Sequence, residues 1–261
     1  MKIKEVTDYL DGMFHPEYQE EYDNSGFLFG EAEADYRGAL VAVDLTEAVV
    51  AEAVELGMNL VVTHHPFLFG GVKRLTSGTA QGRMVMALAR AGISVYAAHT
   101  NLDNLPEGVN GVLAEVLGIS EGKVLKPLKG HEDIGAGMVG MLASEVDCDE
   151  YLQLVKSRLG LPLVRTSPHE ANRKVKRVAI CGGSGAFLIG EAIAAKADLY
   201  MTADLKYHDF QRAEGQLVLA DIGHYESEQF AKEIIFRTVS NKFSNFACRI
   251  SGVQGSIVSY I

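Results

Sequence analysis

The sequence predicts an α/β protein of two lobes with largely parallel sheets and a less regular central segment. Three observations lead there. Short β-branched runs are each followed by apolar residues at helical spacing, the alternation that builds a parallel sheet covered by helices. This alternation occurs early and again late in the chain, and a stretch rich in turn formers separates the two occurrences. With 261 residues, 48% hydrophobic and 22% charged, the chain suits one large domain or two lobes of ordinary size and has the balance of a folded polypeptide.

In chain order, ALVAVDL (39–45) reads as a strand leading into TEAVVAEAVELG, where Thr46 caps a helix, Val49, Ala53, Val54 and Leu56 recur at helical spacing, and Gly57 stops it. MNLVVT (58–63) is the next strand. GRMVMALARAG (82–92) reads as a helix ended by Gly92, and ISVYAA (93–98) as a further strand. Together these form an N-terminal lobe over residues 1–120. The connecting segment, 121–175, carries KPLKG, GAGMVG, LGLPLV and SPHEANRK, with turn formers and few long periodic runs. In the C-terminal lobe, 176–261, KRVAIC (176–181) precedes GGSGAFLIGEAIAAKA, and the strands DLYMTA (198–203) and QLVLAD (216–221) precede a helix over 226–239.

The net charge of −10 argues against a surface built for polyanions, so nucleic acid is not an expected partner. Three cysteines, Cys148, Cys181 and Cys248, are far apart and lack a C-x-x-C spacing, which points to a reducing compartment. Acids interrupt the opening MKIKEVTDYLDGMF, and no stretch has the length of a spanning helix. The expected location is cytoplasmic, without membrane association.

Ligands in open α/β sheets bind beyond the carboxyl ends of the strands. The residues there are rich in metal-ligating types: HHP after MNLVVT, HTNLDN with His99 and Asp103 after ISVYAA, DLKYHD with Asp204, Lys206 and His208 after DLYMTA, and IGHYESE with His224 and Glu228 after QLVLAD. His64 and His65 end an apolar strand where imidazoles gain nothing from packing. Neighbours in a strand face opposite ways, so the pair reaches one point only if the backbone turns, as Pro66 encourages. Taken alone, it also fits one histidine in the core and one in solvent. His224 and Glu228, four apart at a helix start, share a face as a metal pair requires, though an acidic first turn has its own dipole rationale. Imidazole plus carboxylate without thiolate suits Zn, Mn, Fe, Co or Ni. GGSG at 182–185 could bind an anion, but lacks the rest of a phosphate-binding motif and reads better as a tight turn. Arg165, Arg173, Lys174, Lys176 and Arg177 read as a solvated basic face.

The segments DNSGFLFGE (23–31), THHPFLF (63–69), HTNLDN (99–104), TADLKYHD (202–209) and DIGHYESE (221–228) resemble, in order, the signature segments of the Nif-three-like dinuclear metal family, whose bacterial members are described as GTP cyclohydrolase one type two homologues. The resemblance implies that His64, His65, Asp103, His224 and Glu228 hold two divalent metal ions, Glu228 bridging and His99 beside them. It also implies a homohexamer built as a trimer of dimers and a compact form without an inserted domain. One departure is Ala203, where the family usually has Gly, which puts the local backbone angle in question. With that ligand set, two divalent ions bring +4 and two carboxylates return −2, leaving charge for hydroxide, water or an anionic substrate. The expectation is a metal-dependent hydrolase acting on a nucleotide-like or phosphoester substrate, with His99, Lys206 and His208 as candidate catalytic groups. The alternative is a non-catalytic metal-handling or regulatory protein.

Overall fold

The computed structural model describes residues 1–213, 215–253 and 255–261. They form two compact units, Met1–Leu102 with Ala231–Gly255, and Asp103–Phe230 with Ser256–Ile261. The first begins with α1 (Ile3–Phe14), which buries Ile3, Val6, Leu10 and Phe14 along one face. There follow β1 (Gly26–Phe29), β2 (Gly38–Ala42), α2 (Glu47–Glu55), β3 (Leu60–Thr63), α3 (Ala80–Ala91), β4 (Ser94–Ala97) and α4 (Thr100–Asp103), the last at the sequence boundary between the units. Thr46 caps α2 as its position predicts, accepting from the Val49 amide at 3.2 Å. Gly92 ends α3 at φ +62°, where a side chain would be strained. α2 buries Val49, Val50 and Ala53, whereas Val54, expected on the apolar face, is exposed.

The second unit holds α5 (Val109–Leu117), β5 (Ser120–Pro127), β6 (Gly135–Asp147), α6 (Cys148–Leu159), β7 (Arg165–Thr166), β8 (Lys174–Ser184), α7 (Ile189–Ala194), β9 (Leu199–Ala203), β10 (Val218–Asp221) and α8 (His224–Glu228). Its sheet runs β5-β6-β8-β9-β10-β7. β8, β9 and β10 are parallel; the flanking pairings are antiparallel. Successive residues of β8 enter different cores. Val178 and Ile180 pack with Leu113, Leu152 and Val155 from α5 and α6, while Ala179 and Cys181 pack with Leu188, Ile189 and Ala192. Period-two alternation therefore covers this sheet on both faces.

The chain then returns to the first unit through α9 (Ala231–Lys242) and β11 (Ala247–Ile250). The first sheet has the order β1-β4-β3-β2-β11, parallel throughout except for the edge strand β1. Leu40, Val61 and Val95 from three neighbouring strands pack with Val49, Ala53 and Leu88 of α2 and α3.

The architecture is the expected α/β class, with differences in how the chain is apportioned. Residues 121–175, expected to be irregular, supply two long antiparallel strands and a helix to the second sheet. Their glycines hid this: Gly135 at φ +155° and Gly137 at φ +66° allow close approach, since a Cβ at Gly135 would lie 2.2 Å from the Lys126 carbonyl. Residues 103–120 cluster with the second unit because α5 packs on β8, and 231–255 with the first because β11 pairs beside β2, Cys248 opposite Ala39. The expected final helix is two helices, α8 and α9. Among the described residues no helix is long and apolar enough to cross a membrane.

Candidate metal centre

In the first unit, β2 stops at Ala42, earlier than its apolar run suggests, and the Val43 carbonyl serves the turn beyond β3. It accepts from the amides of both His64 (3.1 Å) and His65 (2.9 Å). Two successive amides cannot point the same way in a regular strand, so the backbone turns just beyond β3. Thr63 closes the bend by donating its hydroxyl to the His65 carbonyl at 2.8 Å. The rings of His64 and His65 lie 4.9 Å apart, and that of His99, from the loop after β4, is 5.3 Å and 5.5 Å from them. One nitrogen from each of the three falls within 4.8 Å of the others.

Each ring is held through Nδ1. His64 donates to the Ala98 carbonyl (2.7 Å), His65 to Asp44 Oδ1 (2.8 Å) and His99 to Asp23 Oδ1 (2.7 Å). Carbonyls and carboxylates only accept, so a proton sits on Nδ1, and the neutral form of each ring then has its lone pair on Nε2. This is how outer partners orient metal-ligating histidines. The Asp23 side chain is fully buried. Burial alone would raise its carboxyl, but hydrogen bonds from His99, Thr100 and Asn24 outweigh that and hold it well below the usual carboxylate range.

In the second unit, the loops after β9 and β10 present Asp204 and His224. Asp221 ties them together: it accepts from the Leu205 amide (3.1 Å) and the Gly223 amide (3.1 Å), and pairs with the Arg165 guanidinium. The residue with a left-handed backbone is Asp204, at φ +55°; Ala203 is the buried last residue of β9, so the departure from glycine there carries no strain. His224 donates Nδ1 to Asp204 Oδ2 at 2.7 Å, and its Nε2 lies 2.9 Å from Glu228 Oε2. A carboxylate oxygen and an imidazole lone pair at that separation need a proton or a cation between them. An oxygen of Asp103 also comes within 4.8 Å of Glu228. Glu228 thus lies near both His224 and Asp103.

Glu228 is 3% exposed and rests against the β8 glycines. A Cβ at Gly183 (φ +60°) would lie 2.0 Å from Glu228 Oε1 and 3.3 Å from His224 Nε2. The glycines read as a tight turn belong to β8 itself, through Ser184. The Gly183 amide donates to Ser227 Oγ (3.0 Å), its carbonyl accepts from Thr202 Oγ1 (3.0 Å), and the Gly182 amide donates to Asn110 Oδ1 (2.9 Å). They form a seat for α8.

The structure therefore gathers His64, His65 and His99 in one unit and in the other brings Glu228 near both His224 and Asp103, groups whose nitrogen and oxygen donors fit a borderline divalent cation. His208 lies outside these groups: it is exposed, and its Nδ1 faces Gln211 Oε1 at 3.1 Å. Lys206 is exposed on the same loop. The sequence reading missed Asp23 and Asp44. Their signal was an acid at the carboxyl edge of an apolar run for Asp44, and the DNSG motif for Asp23.

The sequence matches the Duf34/NIF3 (NGG1p interacting factor 3) family over residues 1–255. A Clostridium perfringens protein named GTP cyclohydrolase 1 type 2 homolog is 35% identical over 231 residues, covering 87% of each chain. A Staphylococcus aureus hypothetical protein of known structure is 30% identical, with a TM-score of 0.92 over 100% of this chain and 99% of that one. A Bacillus cereus protein related to NIF3 shares the fold at 22% identity, with a TM-score of 0.93 and the same coverage.

Proposed function

Since this chain belongs to the Duf34/NIF3 family, we propose that it is a metal-dependent hydrolase with a dinuclear centre, acting on a nucleotide-like or phosphoester substrate in the cytoplasm. The proposed ligands of two divalent ions are His64, His65, Asp103, His224 and Glu228. The observation that carries the reading is the common orientation of the histidines: His64, His65, His99 and His224 each commit Nδ1 to an oxygen acceptor and turn Nε2 toward other ligating groups. A solvated surface histidine has no such requirement. The ligand types accept Zn, Mn, Fe, Co or Ni.

When bound, such ions supply an acidified water and positive charge opposite an anionic oxygen. The protein's own contribution is orientation and proton handling. Asp23 holds the His99 ring by its Nδ1, which leaves Nε2 as the proposed proton-handling atom. Lys206 and His208 are the proposed groups for the substrate anion. The buried Glu228 carboxylate, close to both Asp103 and His224, suits the bridging position. A homohexamer, a trimer of dimers, is the proposed assembly; light scattering giving a monomer at micromolar concentration would remove it.

The test is elemental analysis of the purified protein beside turnover of a panel of nucleotides and phosphoesters. Glu228→Gln keeps the shape and removes one charge, so the rate should fall by more than the metal content. A fully metallated protein with no turnover above a metal-only blank would overturn the hydrolase reading in favour of metal handling.

A further inference from the structure

Two phenylalanines of the segment following the paired histidines have opposite fates. Phe67 packs edge-on against Phe29, ring centres 6.4 Å apart, and joins the core below β3. Phe69, two residues on, is 50% exposed. Its ring stands edge-on to His99 at 5.9 Å and 6.2 Å from the ring of Tyr22, itself 60% exposed. The approach to Phe69 is anchored from two sides: Asn24 donates its side-chain amide to the Leu68 carbonyl at 2.5 Å, and Gln81 donates to the Phe67 carbonyl at 2.9 Å.

Exposed aromatic rings gain nothing from packing, and the core already has its phenylalanine in Phe67. Where ring faces are held in water beside a set of ligating nitrogens, they can receive the flat face of another ring. We infer that Tyr22 and Phe69 form a stacking platform that takes a planar heteroaromatic ring of the substrate, such as a nucleobase, while its anionic group is addressed by the histidine set. The part concerning the anion rests on the metal reading above; the ring platform rests on Tyr22, Phe69 and His99 alone. Stacking accepts any flat ring, so the platform favours heteroaromatic over sugar-only ligands without choosing one base.

Three probes separate the two parts: adenosine 5′-monophosphate, adenosine and ribose 5-phosphate, each titrated calorimetrically into the full, metal-loaded protein. The nucleotide should bind about tenfold more tightly than ribose 5-phosphate, within the range typical of one stacked base. Phe69→Ala should weaken the nucleotide and adenosine by about that factor, leave ribose 5-phosphate unchanged and leave metal stoichiometry unchanged. Phe69→Leu, which keeps apolar area without a ring, should behave like the alanine variant, and Phe69→Trp should restore binding. Equal affinity for the nucleotide and ribose 5-phosphate, or equal weakening of both by Phe69→Ala, would overturn the platform. Failure of ribose 5-phosphate alone to bind would count against the metal reading, and the adenosine series would still decide the platform.

Discussion

Gly183→Ala perturbs Glu228, a proposed ligand, while sparing the fold, and the structure gives the size of each effect. The backbone there has φ +60°, where a Cβ costs about 1–2 kcal/mol. The new methyl would lie 2.0 Å from Glu228 Oε1 and 2.8 Å from its Cδ, well inside contact distance. That obstacle is the end of a flexible side chain, so the carboxylate swings aside and the strand need not move. The departure is not free, because Glu228 is 3% exposed and must leave His224. We expect a total destabilisation of about 2–3 kcal/mol, with the overpacking part near the low end of its usual range. Metal affinity should fall at least tenfold, about 1.4 kcal/mol, because the proposed ligand Glu228 is displaced. The assays are chelator competition with elemental analysis for the metal and denaturant unfolding for stability. Gly190→Ala is the control: it lies within α7, a Cβ there meets nothing within 4 Å, and it should add about 0.5–1 kcal/mol of stability and leave metal binding alone. If Gly183→Ala binds metal as tightly as the unaltered protein, the assignment of Glu228 as a ligand seated on β8 is wrong.

His65→Ala and Asp103→Ala should each lower metal stoichiometry without loss of helical circular dichroism, because both side chains lie beyond the cores; unchanged metal content in both would remove them as ligands. Asp23→Asn places an amide donor against donors from Thr100 and should cost about 1–3 kcal/mol. The depressed Asp23 pKa also sets a pH window: between its folded value and about 3.9 in the unfolded chain the unfolded state binds the extra proton, so stability contributed above that window is lost as pH falls through it, and Asp23→Asn should flatten that limb in acid titrations followed by fluorescence. Burial pushes the Cys148 and Cys248 thiols up to about 11 and about 12, so both should resist iodoacetamide near neutral pH until denaturant is added; rapid labelling of the native protein, read by mass spectrometry, would contradict those raised values.

The sequence by itself determined the α/β class and the strands that carry the site, because β-branched runs such as LVVT and helical spacing are local signals that tertiary packing reinforces. It also showed that the candidate ligating residues His64, His65, Asp103, His224 and Glu228 all follow strand ends, and it named the family through five ordered motifs. Only the tertiary structure decided that β11 returns to the first sheet beside β2, a pairing across more than two hundred residues that no local pattern encodes. It alone showed that the turn-rich centre is strand: the glycines of β6 and β8 are there for close backbone approach, and spacing cannot tell that use from a loop. The acids that orient the histidines were likewise invisible in part. Asp23 meets His99 from 76 residues away and Asp44 meets His65 from 21, so hydrogen-bond partners chosen by folding, not by sequence distance, decide which nitrogen each ring presents.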